Sequence, residues 1–307
     1  MLAYSLKRLL SAIPTLLLLI TLAFFLMRFA PGGPFDYERS LPPEIEANLN
    51  AKYHLDEPLV QQYLRYLGQV LRGDFGPSFQ YQDYTVSELI LAGLPVSLLL
   101  GGISVLLALV AGVLAGSHAA LHRNGWPDHF VMGLTMTGIS IPNFVMAPLL
   151  ILLFAIVLGV LPAGGWNDAA PRNLVLPVIV LALPQIAYVA RITRSSLIEV
   201  LHSDFIRTAR AKGLSAREVL LRHALKPAMV PVVSYLGPTA AAVMTGSVVV
   251  EQIFGIPGVG RFFVQGALNR DYTLVLGVVI FYGALVVLFN LLVDLAYAAL
   301  DPRVRYT

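Results

Sequence analysis

Long uncharged apolar stretches alternate with short polar ones along most of this chain. Six of them, at 9–27, 95–121, 130–158, 174–190, 228–250 and 273–293, are long and apolar enough to read as membrane spans. The criterion is geometric, since about 20 helical residues cross a hydrocarbon core of about 30 Å. The first stretch follows Lys7 and Arg8, and Arg28, Pro31 and Gly32 stand after it where a leader peptide would carry a small-residue cleavage site. It therefore reads as a retained span. The third outruns a single crossing, because no charge falls between Phe130 and Trp166, so its helix is predicted to stop before Pro162 and LPAGGWNDAAPRN to form a loop. The fourth is short and is interrupted by Pro177 and Pro184.

Six spans place both termini on one side of the membrane. Lys7, Arg8, Arg123, the basic 191–227 segment, Arg303 and Arg305 then share that side, against Arg172, Arg261 and Arg270 in the short loops opposite. By the positive-inside rule the termini and the 191–227 loop are expected to be cytoplasmic. The chain divides accordingly into an N-terminal segment with its first span (1–29), a long outer loop with a small helical subdomain (30–94) and a five-span core (95–307).

The outer loop is acidic: Asp36, Glu38, Glu44, Glu46, Asp56, Glu57, Asp74, Asp83 and Glu88 outnumber Arg39, Lys52, Arg65 and Arg72. Within it Asp56 is expected to cap a helix with Pro58 in its first turn and Gly73 as its stop. Leu59, Tyr63, Leu67 and Leu71 recur on one face. Two readings stay open, a small amphipathic helix packed on the span ends and a docking surface for an extracytoplasmic partner.

Composition agrees with a membrane protein. Of 307 residues 57% are hydrophobic and 13% charged, and the mean hydropathy is +0.74. There is no cysteine, which excludes disulfides and thiolate metal sites. The net charge of +3 matters less than where the cations gather. RTARAKGLSAREVLLRHALKP carries Arg207, Arg210, Lys212, Arg217, Arg222 and Lys226 against Glu218. Here Asp204 is expected to cap a helix over 205–212 that Gly213 ends, and Ser215 with Glu218 has the capping-box spacing for a second helix running to Pro227. Two helices bent at a glycine would leave Ile206, Ala209 and Leu214 free to fill a pocket on another protein. A plain polybasic loop resting on anionic lipid is the alternative.

These residues carry a family resemblance. RTARAKG with HALKP at the following distance resembles the loop by which ABC-importer permeases of the peptide and nickel family grip their ATPase subunits. The general signature of such loops is Glu-Ala-Ala, three residues, Gly, and later Leu-Pro. Arg207, Thr208 and Ala209 stand at the Glu-Ala-Ala positions, Gly213 at the Gly, and Leu225 and Pro227 near the Leu-Pro with Lys226 between. Arg for Glu departs from the general pattern and fits the peptide branch. AIPTLLLLIT, RFAPGGPFD, GDFGPSF, SIPNF, ARITRSSLIEVLHSDFIRTARAKG, IFGIPGVG and NRDYTLVLG extend the resemblance, closest to the oligopeptide permeases, over nearly the whole chain.

The resemblance implies an all-α type I importer permease in the bacterial inner membrane. Its partners would be a homologous second permease, two cytoplasmic ATPases and a periplasmic peptide-binding protein. This chain would bind no cofactor, with ATP and Mg used by the ATPases. The same family also imports dipeptides, nickel chelates and glutathione. Thr135, Ser140, Asn143, Gln185 and Thr245 are candidates for a translocation path, and each reads more readily as a helix-packing polar residue, since interhelical polar contacts are common in bundles.

Other chemistries find little support. No Gly-rich phosphate loop with Gly-Lys-Ser or Gly-Lys-Thr occurs, and GIPGVG lacks the βαβ context of a dinucleotide site. His118 and His122 share a helix face but have only Asp128 and His129 near them as further metal ligands. An ion-coupled carrier would need ionisable groups within the spans, and Asp294, one turn after Asn290, is the one candidate. Neither a paired Asp nor a Ser-His set lies at membrane depth for proteolysis. Gly112 and Gly116 form a small-xxx-small pair suited to close helix packing.

Overall fold

The computed structural model describes residues 2–29 and 53–300, with the side chains of 2–9, 245–246 and 293–300 left aside. The acids Asp36, Glu38, Glu44 and Glu46 lie outside the described residues, as do Arg303 and Arg305, and the side chain of Asp294 is likewise outside. The regular elements among the described residues are all helices, with a single isolated antiparallel bridge between Pro77 and Thr85.

Four helices are long and apolar enough to cross a membrane: α1 (Leu2–Phe29), α3 (Val86–Leu121), α6 (Pro171–Leu201) and α12 (Tyr272–Leu300). Two bent pairs bring the number to six if each is one span. The first pair is α4 (Trp126–Ser140) with α5 (Asn143–Leu150), which runs on into a π-helical stretch, Ile151–Val157, and the angle between its halves is 105°. The stretch expected as one straight third span is therefore broken at 141–142, where Ile141 turns extended ahead of Pro142. The second pair bends by 50° between Ala216–Ala228 and Val230–Met244. Pro227 does not end the preceding helix but lies within Leu225–Ala228.

The fourth span is also corrected. α6 passes through Pro177 and Pro184 without a break, and its last eleven residues belong to what the sequence suggested was a cytoplasmic loop. α3 likewise begins nine residues ahead of Pro95. A capping box starts it: Thr85 N–H donates to Glu88 Oε2 at 2.8 Å and Glu88 N–H to Thr85 Oγ1 at 3.2 Å.

The chain forms two compact units. One is built on Leu98–Ile256, the other on the described parts of Leu6–Ser97 and on Pro257–Val287. In the first, α3 meets α6 where α3 lacks side chains. A methyl group on Gly112 would stand 2.6 Å from Val189 Cβ, and one on Gly116 would stand 2.3 Å from the carbonyl oxygen of Ala190. A second close approach sets Gly164 against α10 (Val248–Phe254), and Gly165 N–H donates to Phe254 O at 2.7 Å. α9 (Val230–Gly246) joins α6 through Tyr235 Oη, which donates to Gln185 Oε1 at 2.7 Å.

The second unit contains α2 (Leu59–Val70) and α11 (Val259–Leu268). α2 starts at Pro58, whose carbonyl accepts from Gln61 and Gln62, so Pro58 and not Asp56 holds the cap position. Its inner face is rotated from the expected one. Tyr66 is buried and Tyr63, Leu67 and Val70 pack with Ile20, Phe24, Leu276 and Ile280, while Leu71 is 80% exposed. Burial pushes the Tyr66 hydroxyl pKa up, which keeps it neutral. The rest of this core is Val86, Leu89, Ile90, Val259, Phe262, Leu274 and Val278.

One buried carboxylate organises the loops of this unit. Asp271 Oδ2 accepts from Ser78 Oγ at 2.5 Å, Phe79 N–H at 3.0 Å and Gln80 N–H at 3.2 Å. Its Oδ1 accepts from Thr273 Oγ1 at 2.9 Å and caps α12 through Leu274 N–H at 3.0 Å. Nothing in the sequence pattern marks Asp271 for this task.

The α3–α6 seam yields a test. Gly116→Ala forces a methyl against backbone that has no rotamer to escape into, and is expected to cost about 1–3 kcal/mol. Gly102→Ala has open space and gains helix propensity. Thermal unfolding of the two variants in detergent checks the contrast, with Gly116→Ala melting below wild type and Gly102→Ala at or above it.

Candidate functional site

The basic segment leaves α6 through His202 and Ser203 and forms α7 (Asp204–Ala211). Ser203, in extended conformation, holds the cap position expected of Asp204, which is the first helical residue. Its side chain is 93% exposed and 3.4 Å from Arg207, an ion pair of little energetic weight.

Gly213 ends α7 as expected, with φ +82. The geometry is that of a Schellman motif: Gly213 N–H donates to Arg210 O at 2.9 Å and Leu214 N–H to Ala209 O at 3.4 Å. A left-handed residue is required here, and glycine takes it without the Cβ penalty. Ser215 then opens α8 (Ala216–Glu218) with the full capping box, Glu218 N–H donating to Ser215 Oγ and Ser215 N–H to Glu218 Oε2 at 3.2 Å. The helix continues as a π-helical turn, Val219–Ala224, and then Leu225–Ala228.

The apolar side of this pair faces inward. Ile206 is fully buried and Ala209 nearly so, packed with Ala120, Leu197, Val219, Ala224 and Ala228, and Leu214 lies against the same cluster. The expectation that Ile206, Ala209 and Leu214 are free to enter a partner is therefore overturned. They close the protein's own core, because the extended α6 brings Leu197 beneath α7.

What faces out is cationic, with two large apolar groups, Phe205 on α7 and Leu221, also 52% exposed, in the helix that follows. Arg207, Thr208, Arg210, Lys212, Arg217, Arg222, Lys226 and Pro227 are exposed, Leu225 is half-buried, and Phe205 is 52% exposed. Phe205 was not singled out from the sequence. Its signal was its place one residue ahead of Ile206, on the other side of a short amphipathic helix.

A second feature also escaped the sequence reading. Arg194, near the end of α6, donates through Nε to Asp128 Oδ1 at 2.5 Å and through a terminal nitrogen to Asp128 Oδ2 at 2.6 Å. Asp128 is 1% exposed and also accepts from Asn124 N–H at 2.9 Å. This bidentate pair fixes the start of α4 on α6. It also commits the carboxylate that stood nearest to His118 and His122, whose rings lie 4.5 Å apart with His122 Nδ1 3.0 Å from the His118 carbonyl oxygen.

The path candidates lie on four helices, α4, α5, α6 and α9. Thr135 donates to Met132 O and Ser140 to Met136 O, both at 2.8 Å within their own helix. Asn143 is half-buried at the first residue of α5, just past the 105° bend. Gln185 accepts from Tyr235, the Tyr188 ring lies 5.5 Å from that of Tyr235 and tilted 34° to it, and Arg191 stands 5.2 Å over the Tyr188 ring. The Thr245 side chain lies outside the described residues. Among the described residues no hydrogen bond joins any two of Thr135, Ser140, Asn143 and Gln185.

Residues 108–306 match the family described as binding-protein-dependent transport system inner membrane component. The chain is 57% identical over 306 residues to the oligopeptide transport system permease protein OppB of Escherichia coli K12, covering 100% of both chains. It is 44% identical over 302 residues to the dipeptide transport system permease protein DppB of Bacillus subtilis, covering 98% of this chain and 97% of the relative. Among solved structures, an inward-facing form of the MetNI methionine ABC transporter matches 70% of this chain and 97% of its own at a TM-score of 0.60 and 18% identity, a likeness of fold.

Inward and outward faces of α7 are separable by mutation. Ile206→Ala is expected to cost about 2–5 kcal/mol by leaving a cavity, while Phe205→Ala removes an exposed ring and leaves stability unchanged. Thermal unfolding of both variants in one detergent reads the difference.

Proposed function

The chain belongs to the family of binding-protein-dependent transport system inner membrane components, and from that premise we propose that it is the permease subunit of an ATP-driven importer of oligopeptides. As a permease of this family it is a non-catalytic, multi-pass inner-membrane subunit, and in this reading ATP and Mg are used by its partners. The finer parts of the reading are the substrate, six spans with cytoplasmic termini, and an assembly with a second permease, two ATPases and a peptide-binding protein. Higher identity to an oligopeptide permease than to a dipeptide permease, over the full length, supports the substrate class.

The observation that carries the coupling is the two-faced helix α7. Its inner side is anchored in the protein core and its outer side offers Arg207, Arg210 and Lys212 around Phe205. In this reading the cations pair with acids of the ATPase and Phe205 fills an apolar groove there, a role earlier sequence logic gave to Ile206, Ala209 and Leu214. Asp204, Thr208 and the Schellman turn at Gly213 shape the surface. Leu225 and Pro227 continue the support helix. ATP-driven closure of the ATPases then displaces α7 with α6, since a coupled change needs contacts that differ between two states.

The test is co-purification from mild detergent followed by peptide uptake in reconstituted vesicles. Wild type is expected to bring a second permease and two ATPases. Phe205→Ala combined with Arg207→Glu and Arg210→Glu is expected to lose the ATPases and at least 90% of uptake, a drop of over tenfold set by several interface contacts of about 1 kcal/mol or more each. Undiminished ATPase recovery with that variant defeats the coupling assignment. Uptake of dipeptides in preference to longer peptides defeats the substrate assignment alone.

A further inference from the structure

A cavity of about 260 Å³ opens in the unit that contains α1, α2 and the start of α12. Its walls include Arg28, Tyr53, His54, Arg65, Gln69 and Tyr272. Their charges do not balance. Glu57 is already shared by Arg65 at 2.6 Å and His54 at 3.1 Å, whereas no carboxylate among the described residues pairs with Arg28, whose guanidinium carbon stands 5.5 Å over the Phe24 ring. Arg28 is half-buried. A guanidinium withdrawn from water without a counter-ion is costly, and the cost is offset when an anion enters.

Location narrows the anion. Arg28 is the penultimate residue of the candidate span Leu10–Phe29, and Tyr272 the first of Tyr272–Leu292. The cavity therefore stands where two apolar helices end together, at a membrane–water boundary, with α2 as the third wall. Arginine and tyrosine at such a boundary face the layer in which lipid phosphates lie. The guanidinium fork matches two oxygens of a phosphodiester, and the one arginine of the wall without a carboxylate among the described residues matches its single negative charge.

We propose that this cavity binds the phosphodiester of a phospholipid head group, with Arg28 as the principal contact and Arg65 as the second. Aromatic walls at Phe24, Tyr53 and Tyr272 accommodate the glycerol and upper acyl carbons beside it. The bound lipid would pin α1, which has few buried side chains, to the unit that holds α2.

The probe is a short-chain phosphatidylglycerol with six-carbon acyl chains, added to the delipidated full-length chain and followed by native mass spectrometry. Wild type is expected to retain one lipid that Arg28→Gln binds about tenfold more weakly, as befits loss of a charge-assisted pair. Arg28→Lys, which keeps the charge without the fork, is expected to fall between them. Inorganic phosphate and a free tripeptide at the same concentration are the competing sources of anion, and neither is expected to displace the lipid. Equal lipid retention by wild type and Arg28→Gln overturns the proposal. So does displacement by phosphate, which would make this a free-anion site, or by the tripeptide, which would make it a substrate carboxylate site. Should Arg28→Gln fail to fold, the wild-type melting temperature is measured with and without the lipid. A rise with the lipid that phosphate does not reproduce supports the site, and no rise refutes it.

Discussion

The contact between α3 and α6 at Gly112 and Gly116 is the constraint on which the part of this fold that carries the basic segment rests. Helices in an apolar phase gain little from the hydrophobic effect when they associate, so their contacts depend on close van der Waals packing. Here the approach is backbone to backbone, with the carbonyl of Ala190 occupying the space a Gly116 methyl would need. Everything further along α6 inherits that position. Thr193 is fully buried beside it, Arg194 reaches Asp128, and Leu197 forms the floor beneath α7. A shift of α6 by a fraction of a helical turn would unpair the first and uncover the last.

Two interactions of different strength then divide the labour in the basic segment. Burying Ile206 and its neighbours contributes about 1.5–3 kcal/mol for each large aliphatic side chain. An exposed pair such as Asp204–Arg207 contributes about 0–1 kcal/mol. The apolar anchor therefore decides where α7 sits. The cations, held among the described residues by no more than the weak Asp204–Arg207 pair and raised on a rigid helix, remain available for choosing a partner, where complementary charge governs specificity and encounter more than affinity.

Much of this was legible in the sequence because it depends on local chemistry. The capping box at Ser215 and Glu218 and the left-handed turn at Gly213 follow from residue types at fixed spacing, and apolar run length marked the six stretches. What was not legible depended on a neighbour. Ile206, Ala209 and Leu214 form an apolar face whether the cover is another protein or Leu197 of the same chain, and only the unexpected length of α6 decides between them. That length was hidden by Arg191, where the uncharged run ends although the helix goes on to Leu201, and Pro177 and Pro184 would break a helix in water. They are tolerated in a packed, apolar helix, where neighbouring groups satisfy the freed carbonyls. Pro142 has the opposite effect, because Ile141 ahead of it takes the extended conformation and the helix turns by 105°. Asp128, Arg194 and Asp271 carried no readable signal, since a single acid or base declares its partner only in three dimensions.

These facts also locate where movement can be absorbed. α7 cannot swing on its own, because the Ile206 cluster, the Schellman turn and the capping box bind it to α6 and to the helix that follows. The Asp128–Arg194 pair extends the same body to the start of α4: separating a buried carboxylate from the guanidinium that pairs with it costs about 3–5 kcal/mol. A push delivered at α7 must then be carried by α6 and the first turns of α4 as one piece, up to the places where the helical hydrogen-bond ladder is already interrupted. The structure offers two, the break at 141–142 and the 50° bend at Met229. Asn143 stands at the first of them and Tyr235, joined to Gln185, lies about one and a half turns beyond the second. Asn143 and the Tyr235–Gln185 pair thus sit next to the joints and α7 on the body between them, the arrangement that the proposed function needs if the first are to meet a passing peptide and the second is to receive the push.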